Sequence, residues 1–205
     1  MIALGLLPVL GAGLGMGVLH AFDPDHMVTM SSLGARPDAR GATTRFALSW
    51  ALGHGGILVL AALALLLFQL PMPGALPAGA ERLVGIILIA AGGSLALALW
   101  RGAAEERRPS ALRSKTPFLI GMVHGTAGSA AALALLPVGL LSPVQGLVYV
   151  LVFSGGVLLG MIGFGQGFDR ISALIARRGR AIEQALRGCL ATLAIGMGSY
   201  WLWSA

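Results

Sequence analysis

The sequence is poor in charge. Asp, Glu, Lys and Arg make up only 11% of its 205 residues, whereas soluble globular domains carry roughly 25%. Hydrophobic residues account for 57% of the chain, above the roughly 45–50% of soluble domains. This balance excludes an ordinary soluble domain and indicates a chain that lies in a lipid bilayer.

Cysteine is nearly absent, and acidic residues are few. The one cysteine, Cys189, leaves no partner for an internal disulfide or a dithiol relay, and its apolar surroundings indicate a packed small side chain. With 14 basic and 8 acidic residues the net charge is +6, an excess that in other proteins attracts nucleic acid. Here the basic residues fall between apolar segments, so we expect no nucleic-acid partner.

Long apolar runs dominate what is present. Six of them reach about 18 residues or more, the length that spans the hydrocarbon layer of a bilayer. Each is predicted to be a helix, because backbone groups in lipid must pair internally. The first lacks the basic start of a signal peptide. The predicted spans are Leu4–Met30, Arg45–Phe68, Leu83–Trp100, Pro117–Leu136, Val144–Phe168 and Ala181–Trp203.

The placement of basic residues predicts the orientation of these helices. Thirteen of the 14 follow the first, third and fifth runs, and Arg82 alone falls on the other side. Basic residues near helix ends stay in the cytoplasm. Both termini are therefore predicted to lie outside the cytoplasm, in a multi-pass protein of the inner (plasma) membrane whose first partner is the lipid bilayer.

An internal sequence similarity divides the chain into two halves. The segment 15–20, which ends in His20, resembles 121–124, which ends in His124, and 53–56 has a counterpart in 153–156. Three helices in each half is an odd number, so the halves must enter the membrane from opposite sides. We predict an all-α integral membrane fold, a single membrane domain over 1–205, built as two inverted three-helix repeats (1–101 and 116–205) joined by a cytoplasmic linker, 102–115. Such repeats place substrate sites near the midplane.

All four histidines lie inside the apolar runs. They are His20, His26, His54 and His124. An ionisable group in a membrane span is costly and marks a pathway or a binding site. One buried histidine is often a structural hydrogen-bonding group, but four of them together with two aspartates favour a site.

The densest polar segment is 20–26. On a regular helix His20, Asp23 and His26 would share a stripe roughly 120° wide, with Asp25 pointing elsewhere. Pro24 has no N–H to bond the carbonyl of His20, so this carbonyl is predicted to be free and the helix to bend.

Imidazoles combined with carboxylates suit transition metals, whereas magnesium and calcium prefer oxygen ligands alone. Neighbouring methionines are candidates for soft auxiliary ligands, although packing is their more common role. The two aspartates serve either as ligands or as groups that orient imidazole N–H bonds. The candidate metal ligands are His20, Asp23, Asp25, His26, His54 and His124.

These motifs resemble the nickel/cobalt transporter superfamily. His20, Asp25 and His26 match its His-x4-Asp-His signature, and Gly53–His54 and His124–Gly125 resemble its later histidine motifs. The resemblance covers the six-helix core and implies that the signature residues recognise the ion. It further implies a membrane transporter of a divalent transition metal, Ni²⁺ or Co²⁺ with Zn²⁺ as a further candidate, as the substrate.

The chain departs from classical members in three features. It has no extra early helix, Leu19 replaces an arginine before the first histidine, and residues 126–129 replace an acidic cluster. In this it is most similar to the short UreH-like urease-accessory membrane proteins of the same superfamily. That likeness implies a link to a metalloenzyme maturation pathway such as that of urease.

Other functions fit less well. An intramembrane zinc-dependent hydrolase would use the same histidines with an open position for water. A serine hydrolase based on Ser154 would need glycine at the position of Val152 and a nearby base. The single cysteine speaks against a membrane electron carrier, and a scaffold would have no reason to gather histidines. We find no nucleotide-phosphate loop, so active transport would need a gradient or a separate partner.

Overall fold

The computed structural model describes residues 2–34, 41–69, 75–102, 115–127, 134–135 and 137–205, and over these the chain is helical. A π-helical turn, Met30–Gly34, follows the second helix, and a 3₁₀ turn, Pro137–Leu140, precedes the sixth. The α-helices are α1 (Ile2–His20), α2 (Pro24–Thr29), α3 (Ala42–Phe68), α4 (Ala75–Trp100), α5 (Thr116–Thr126), α6 (Pro143–Arg178) and α7 (Arg180–Ser204).

The first apolar run is not one helix, as was predicted from the sequence, but two. α1 ends at His20, and α2 begins at Pro24 after an interruption at 21–23. Asp23 precedes the proline with φ −57° and ψ 140°, because the proline ring excludes the helical conformation from the residue before it. The predicted bend is therefore a full break. Residues 20–26 do not form the regular helix on which the common face of His20, Asp23 and His26 was predicted.

Among the described helices, three are each long and apolar enough to cross a membrane, and they coincide with predicted spans: α3, α4 and α6. α7, which overlaps the last predicted span, is not among these three. α5 ends at Thr126, and much of the remainder of that predicted span, 128–133 and 136, lies outside the described residues. Most of the predicted linker, 103–114, also lies outside them. α6 begins at a capping box in which Ser142 and Gln145 bond each other's backbone N–H.

α1 and α6 run parallel in close contact. A Cβ on Gly17 would lie 2.1 Å from the carbonyl oxygen of Phe153, and one on Gly160 would lie 2.5 Å from Cβ of Ala21. Residue numbers thus increase in the same direction along both helices, which makes the pair parallel. The absence of a side chain at these glycines lets the two backbones touch.

The same contact recurs between α3 and α5. A Cβ on Gly121 would lie 2.0 Å from the carbonyl oxygen of Trp50, and one on Gly125 would lie 2.5 Å from Cγ2 of Ile57. These helices are therefore also parallel. Gly17 in the first pair of helices thus takes the same place as Gly121 in the second pair. The sequence similarity aligns the same two glycines.

Two further pairs are antiparallel. α6 crosses α3 with Gly55 against Ser154 and Gly165 against Thr44. α4 packs on α7, where a Cβ on Gly85 would lie 2.7 Å from the carbonyl oxygen of Gly198. Farther along the same pair, Gly92 lies against Ala191. Together with the parallel pairs, these directions make α1 run opposite to α5, and α3 opposite to α6.

The helix contacts also change the match between segments 53–56 and 153–156 that was read from the sequence. A Cβ on Gly53 would meet the Phe118 carbonyl oxygen at 2.0 Å, and one on Gly156 would meet the Leu14 carbonyl oxygen at 2.5 Å. The contacts therefore match Gly53 with Gly156, whereas the sequence comparison aligned Gly53 with Phe153. In this match the position of His54 corresponds to Val157, which is apolar.

The basic residues of the described segments gather at one end of the bundle. Asp169 of α6 accepts hydrogen bonds from the backbone N–H groups of Thr43 and Thr44, both at 3.2 Å, which places the start of α3 beside the basic end of α6. At the opposite end Arg82 donates to the main-chain oxygen of Ala205 at 2.8 Å. This distribution matches the charge asymmetry read from the sequence.

The outer surface is apolar, and a group of polar side chains lies inside an otherwise apolar core. Large hydrophobic side chains such as Leu60, Leu159 and Leu193 are at least half exposed, while all four histidines are buried. Extensive exposed apolar surface is rare on soluble monomers. It is the arrangement expected of a bundle that faces lipid and keeps its polar groups inside.

Candidate metal centre

The four histidines converge in the interior. Each is at most 2% exposed, although they come from α1, α2, α3 and α5. The ring of His26 lies 4.6 Å from that of His20, 5.2 Å from that of His54 and 5.8 Å from that of His124, measured between centroids. Helices far apart in sequence thus bring the imidazoles into one cluster.

The broken helix orients His26. Its Nδ1 donates to the main-chain oxygen of His20 at 2.9 Å. Because a carbonyl only accepts hydrogen bonds, Nδ1 carries the proton and the lone pair of the neutral ring is on Nε2. The predicted free carbonyl is therefore not free, since it accepts from the N–H of Asp23 at 3.1 Å as well, and its second bond selects the tautomer of His26 in which Nε2 is available to a metal.

His20 is oriented by a carboxylate. Its Nδ1 lies 2.7 Å from Oδ2 of Asp23, an ion-pair distance without hydrogen-bond geometry, and both of its ring nitrogens are buried with no hydrogen-bond partner among the described residues. A carboxylate beside one ring nitrogen raises the basicity of the other. This contact places the carboxylate of Asp23, one of the two aspartates for which the sequence left the orienting role open, beside His20.

His54 is held differently. Both of its ring nitrogens are buried and neither has a hydrogen-bond partner, which is unusual for buried polar atoms. Its ring stacks on Trp50 with centroids 5.0 Å apart and an interplanar angle of 24°. Trp50, which is fully buried, also contacts the rings of His26 and His124.

His124 has partners at both nitrogens. Nδ1 donates to the main-chain oxygen of Ile120 at 3.0 Å, and Nε2 lies 3.2 Å from the hydroxyl of Thr29. The Thr29 side chain belongs to α2 and is fully buried. His124 is therefore beside the other imidazoles but is engaged by protein groups.

Two sets of side chains bring potential ligand atoms within 4.8 Å of one another. One comprises His20, His26 and His54, and the other comprises Asp23, Asp25 and His26. The sequence-based expectation that Asp25 points away from this face is wrong, because it assumed an unbroken helix. Asp25 is buried and joins Asp23, whose side chain is 34% exposed.

Sequence reasoning missed two residues of this centre. Trp50 lies four positions before His54, and Thr29 lies three positions after His26; both spacings place side chains on one helix face. Those spacings were the available signal. Two of the methionines near the histidines in sequence belong to the apolar core: Met30 is buried in it and Met16 packs against it.

The donor set has a definite chemical preference. Three neutral imidazoles suit nickel, cobalt, zinc or copper, and adjacent carboxylates do not change that preference. Such a group in an otherwise apolar interior can replace part of the water shell of a divalent ion. The geometry therefore makes this cluster a candidate binding site for a transition metal.

Comparison with known proteins adds one similarity. The chain is 30% identical over 173 residues to the urease accessory protein UreH of Bacillus sp. (strain TB-90), a match that covers 78% of this chain and 75% of that protein. No family model matches the chain. No solved structure matches it either.

Proposed function

Since the chain belongs to the UreH family of urease accessory proteins in the nickel/cobalt transporter superfamily, we propose that it transports a divalent transition-metal ion across a membrane. Nickel is the first candidate, because urease accessory function is what the relative's name records. Cobalt has the same ligand preferences and is the second candidate.

The observation that carries this proposal is the buried triad of His20, His26 and His54. Their ligand atoms lie within 4.8 Å of one another, and at least two of the rings are oriented by groups at Nδ1. Isolated structural histidines have no reason to share one pocket. A metal ion gives these buried nitrogens the partner that the protein does not supply.

The proposed architecture is an inverted repeat. It is supported by the opposite directions of corresponding helices and by the matched glycine contacts of Gly17 and Gly121. The ion would lie between the halves, and rocking of one half against the other would open the site to each side in turn.

The proposed location is the inner (plasma) membrane, with the basic end of the bundle in the cytoplasm. Both termini would then lie on the opposite side, where Arg82 meets Ala205. Transported nickel would supply the maturation of urease or of another metalloenzyme. A gradient or a separate partner would provide the driving force.

The comparison gives no support to an intramembrane hydrolase. Its zinc version would use the same imidazoles, so the distinction is functional rather than geometric. Its serine version is weakened further, since the hydroxyl of Ser154 is buried with no hydrogen-bond partner and so has no base to activate it.

Two measurements on purified protein test the proposal. Calorimetric titration with nickel should show binding by the wild type, and proteoliposomes should show nickel flux. His20→Ala should lose both, because one of three imidazole ligands is removed. Leu19→Ala is the matched control, since the Leu19 side chain is 68% exposed on the adjacent position and should behave as the wild type.

Identical isotherms for the wild type and His20→Ala would contradict the proposed site. Metal-dependent hydrolysis of protein or lipid, with no nickel flux, would instead favour the enzyme.

A further inference from the structure

The contributions of the two halves to the centre are unequal. The triad of His20, His26 and His54 comes entirely from the first half of the chain. In the part of the chain that the structure describes, His124 is the histidine that the second half brings to the cluster, with its ring 5.8 Å from that of His26.

The hydrogen bonds of His124 determine which of its atoms could bind metal. The carbonyl of Ile120 accepts from Nδ1 at 3.0 Å, so Nδ1 carries the proton of the neutral ring and Nε2 carries the lone pair. The hydroxyl of Thr29 lies 3.2 Å from that Nε2 and is the donor in this contact. The one atom of His124 that a metal needs is therefore occupied by Thr29.

We propose that Thr29 is a positioning residue that competes with the ion for Nε2 of His124, so that ion binding transfers this imidazole from the Thr29 hydroxyl to the metal. The proposal rests on the proposed transport function and deepens it. It makes His124 the ligand through which the ion joins the second half to the first.

Coordination chemistry supports the exchange. Three imidazoles leave a divalent ion such as zinc one ligand short of a tetrahedral set, and the nearest further imidazole is that of His124. The exchange does not leave the Thr29 hydroxyl without a hydrogen-bond partner, because a threonine in a helix can donate its hydroxyl to the carbonyl four residues earlier. Because His124 lies on α5, the exchange would also draw α5 towards the triad. Ion binding would then move the second half relative to the first.

Isosteric variants of the full-length protein test the competition. Thr29→Val removes the hydroxyl, so nickel should bind about 3–10-fold more tightly, the equivalent of one lost competing hydrogen bond. Thr29→Ser keeps the hydroxyl and should restore the wild-type affinity. Thr43→Val is the control, since the Thr43 hydroxyl is buried without a partner and its removal should leave nickel affinity unchanged.

X-ray absorption on nickel-loaded protein counts the imidazoles directly. The wild type should show four imidazole nitrogens and His124→Ala three. This count tests whether His124 binds the ion even if Thr29→Val fails to fold.

Equal imidazole counts in the wild type and His124→Ala would overturn the proposal, as would an unchanged or weaker affinity in folded Thr29→Val. In either case the wild type would still bind nickel and the transport function would stand. A wild type that binds no nickel would overturn the transport function and this exchange together.

Discussion

His26 donates its Nδ1 hydrogen to the main-chain oxygen of His20 at 2.9 Å, across the interruption between α1 and α2. In an unbroken helix this oxygen would accept from the N–H of residue 24, which Pro24 lacks. At this break the oxygen accepts instead from the N–H of Asp23 at 3.1 Å and from the ring of His26, a candidate metal ligand two residues beyond the proline.

Replacing Pro24 with alanine should weaken nickel binding. An N–H at position 24 would compete for the carbonyl of His20 and deprive the His26 ring of its acceptor. We expect nickel affinity to fall by about 10-fold or more, the usual effect of losing a group that orients a metal ligand. Pro8→Ala, at a proline inside α1, is the control. Equal affinities of Pro24→Ala and wild type in calorimetry would show that the break does not position His26.

Asp23→Asn should also weaken nickel binding. The substitution keeps the shape of the side chain but removes the negative charge 2.7 Å from Nδ1 of His20, so Nε2 of that ring becomes less basic. A loss of about 10–100-fold is expected. Glu183→Gln is the control, because Glu183 pairs with Arg187 on α7 and takes no part in the centre. If both variants bind nickel like the wild type, Asp23 does not orient His20.

Acid should release the ion. A histidine binds metal only as the neutral ring, so protons and nickel compete for the same lone pairs. The binding free energy is therefore largest where the rings are neutral and decreases as the pH falls and they protonate. Nickel affinity should fall between pH 8 and pH 4.5. Calorimetry across this range would contradict the imidazole ligand set if the affinity stayed constant.

Adding one methyl group at the helix crossings should disrupt the bundle. In Gly17→Ala and Gly121→Ala the new Cβ would lie about 2 Å from the carbonyl oxygens of Phe153 and Trp50, and backbone atoms cannot move aside cheaply. Each should cost about 1–3 kcal/mol or more, as overpacking does. In Gly11→Ala the new Cβ meets nothing within 4 Å, so it is the control. Thermal unfolding in detergent measures the difference, and equal melting temperatures for all three would refute the close crossings.

Much of the fold could be predicted from apolar run lengths, because lipid imposes a helix of fixed minimum length. The cores of α3, α4 and α6 follow from that rule alone. Helix ends outside the apolar core could not be placed in this way. α6 continues to Arg178, ten residues beyond its predicted end, because arginine-rich sequence forms helix well once it leaves the membrane.

The composition of the centre was predictable, but its geometry was not. Buried histidines are costly enough that finding all four in apolar runs indicated a cluster. The position of Asp25 depended on whether Pro24 bends or breaks the helix, which the sequence does not decide. The partnership of His124 with Thr29 joins residues 95 positions apart, and no local pattern encodes such a contact.

His26 belongs to both groups of candidate ligands, yet its Nδ1 is already committed to the His20 carbonyl. One lone pair remains on the ring, and one lone pair serves one cation at a time. If both groups bind the proposed ion, they therefore do so in turn and not together, and a saturated sample should contain a single equivalent of nickel per chain.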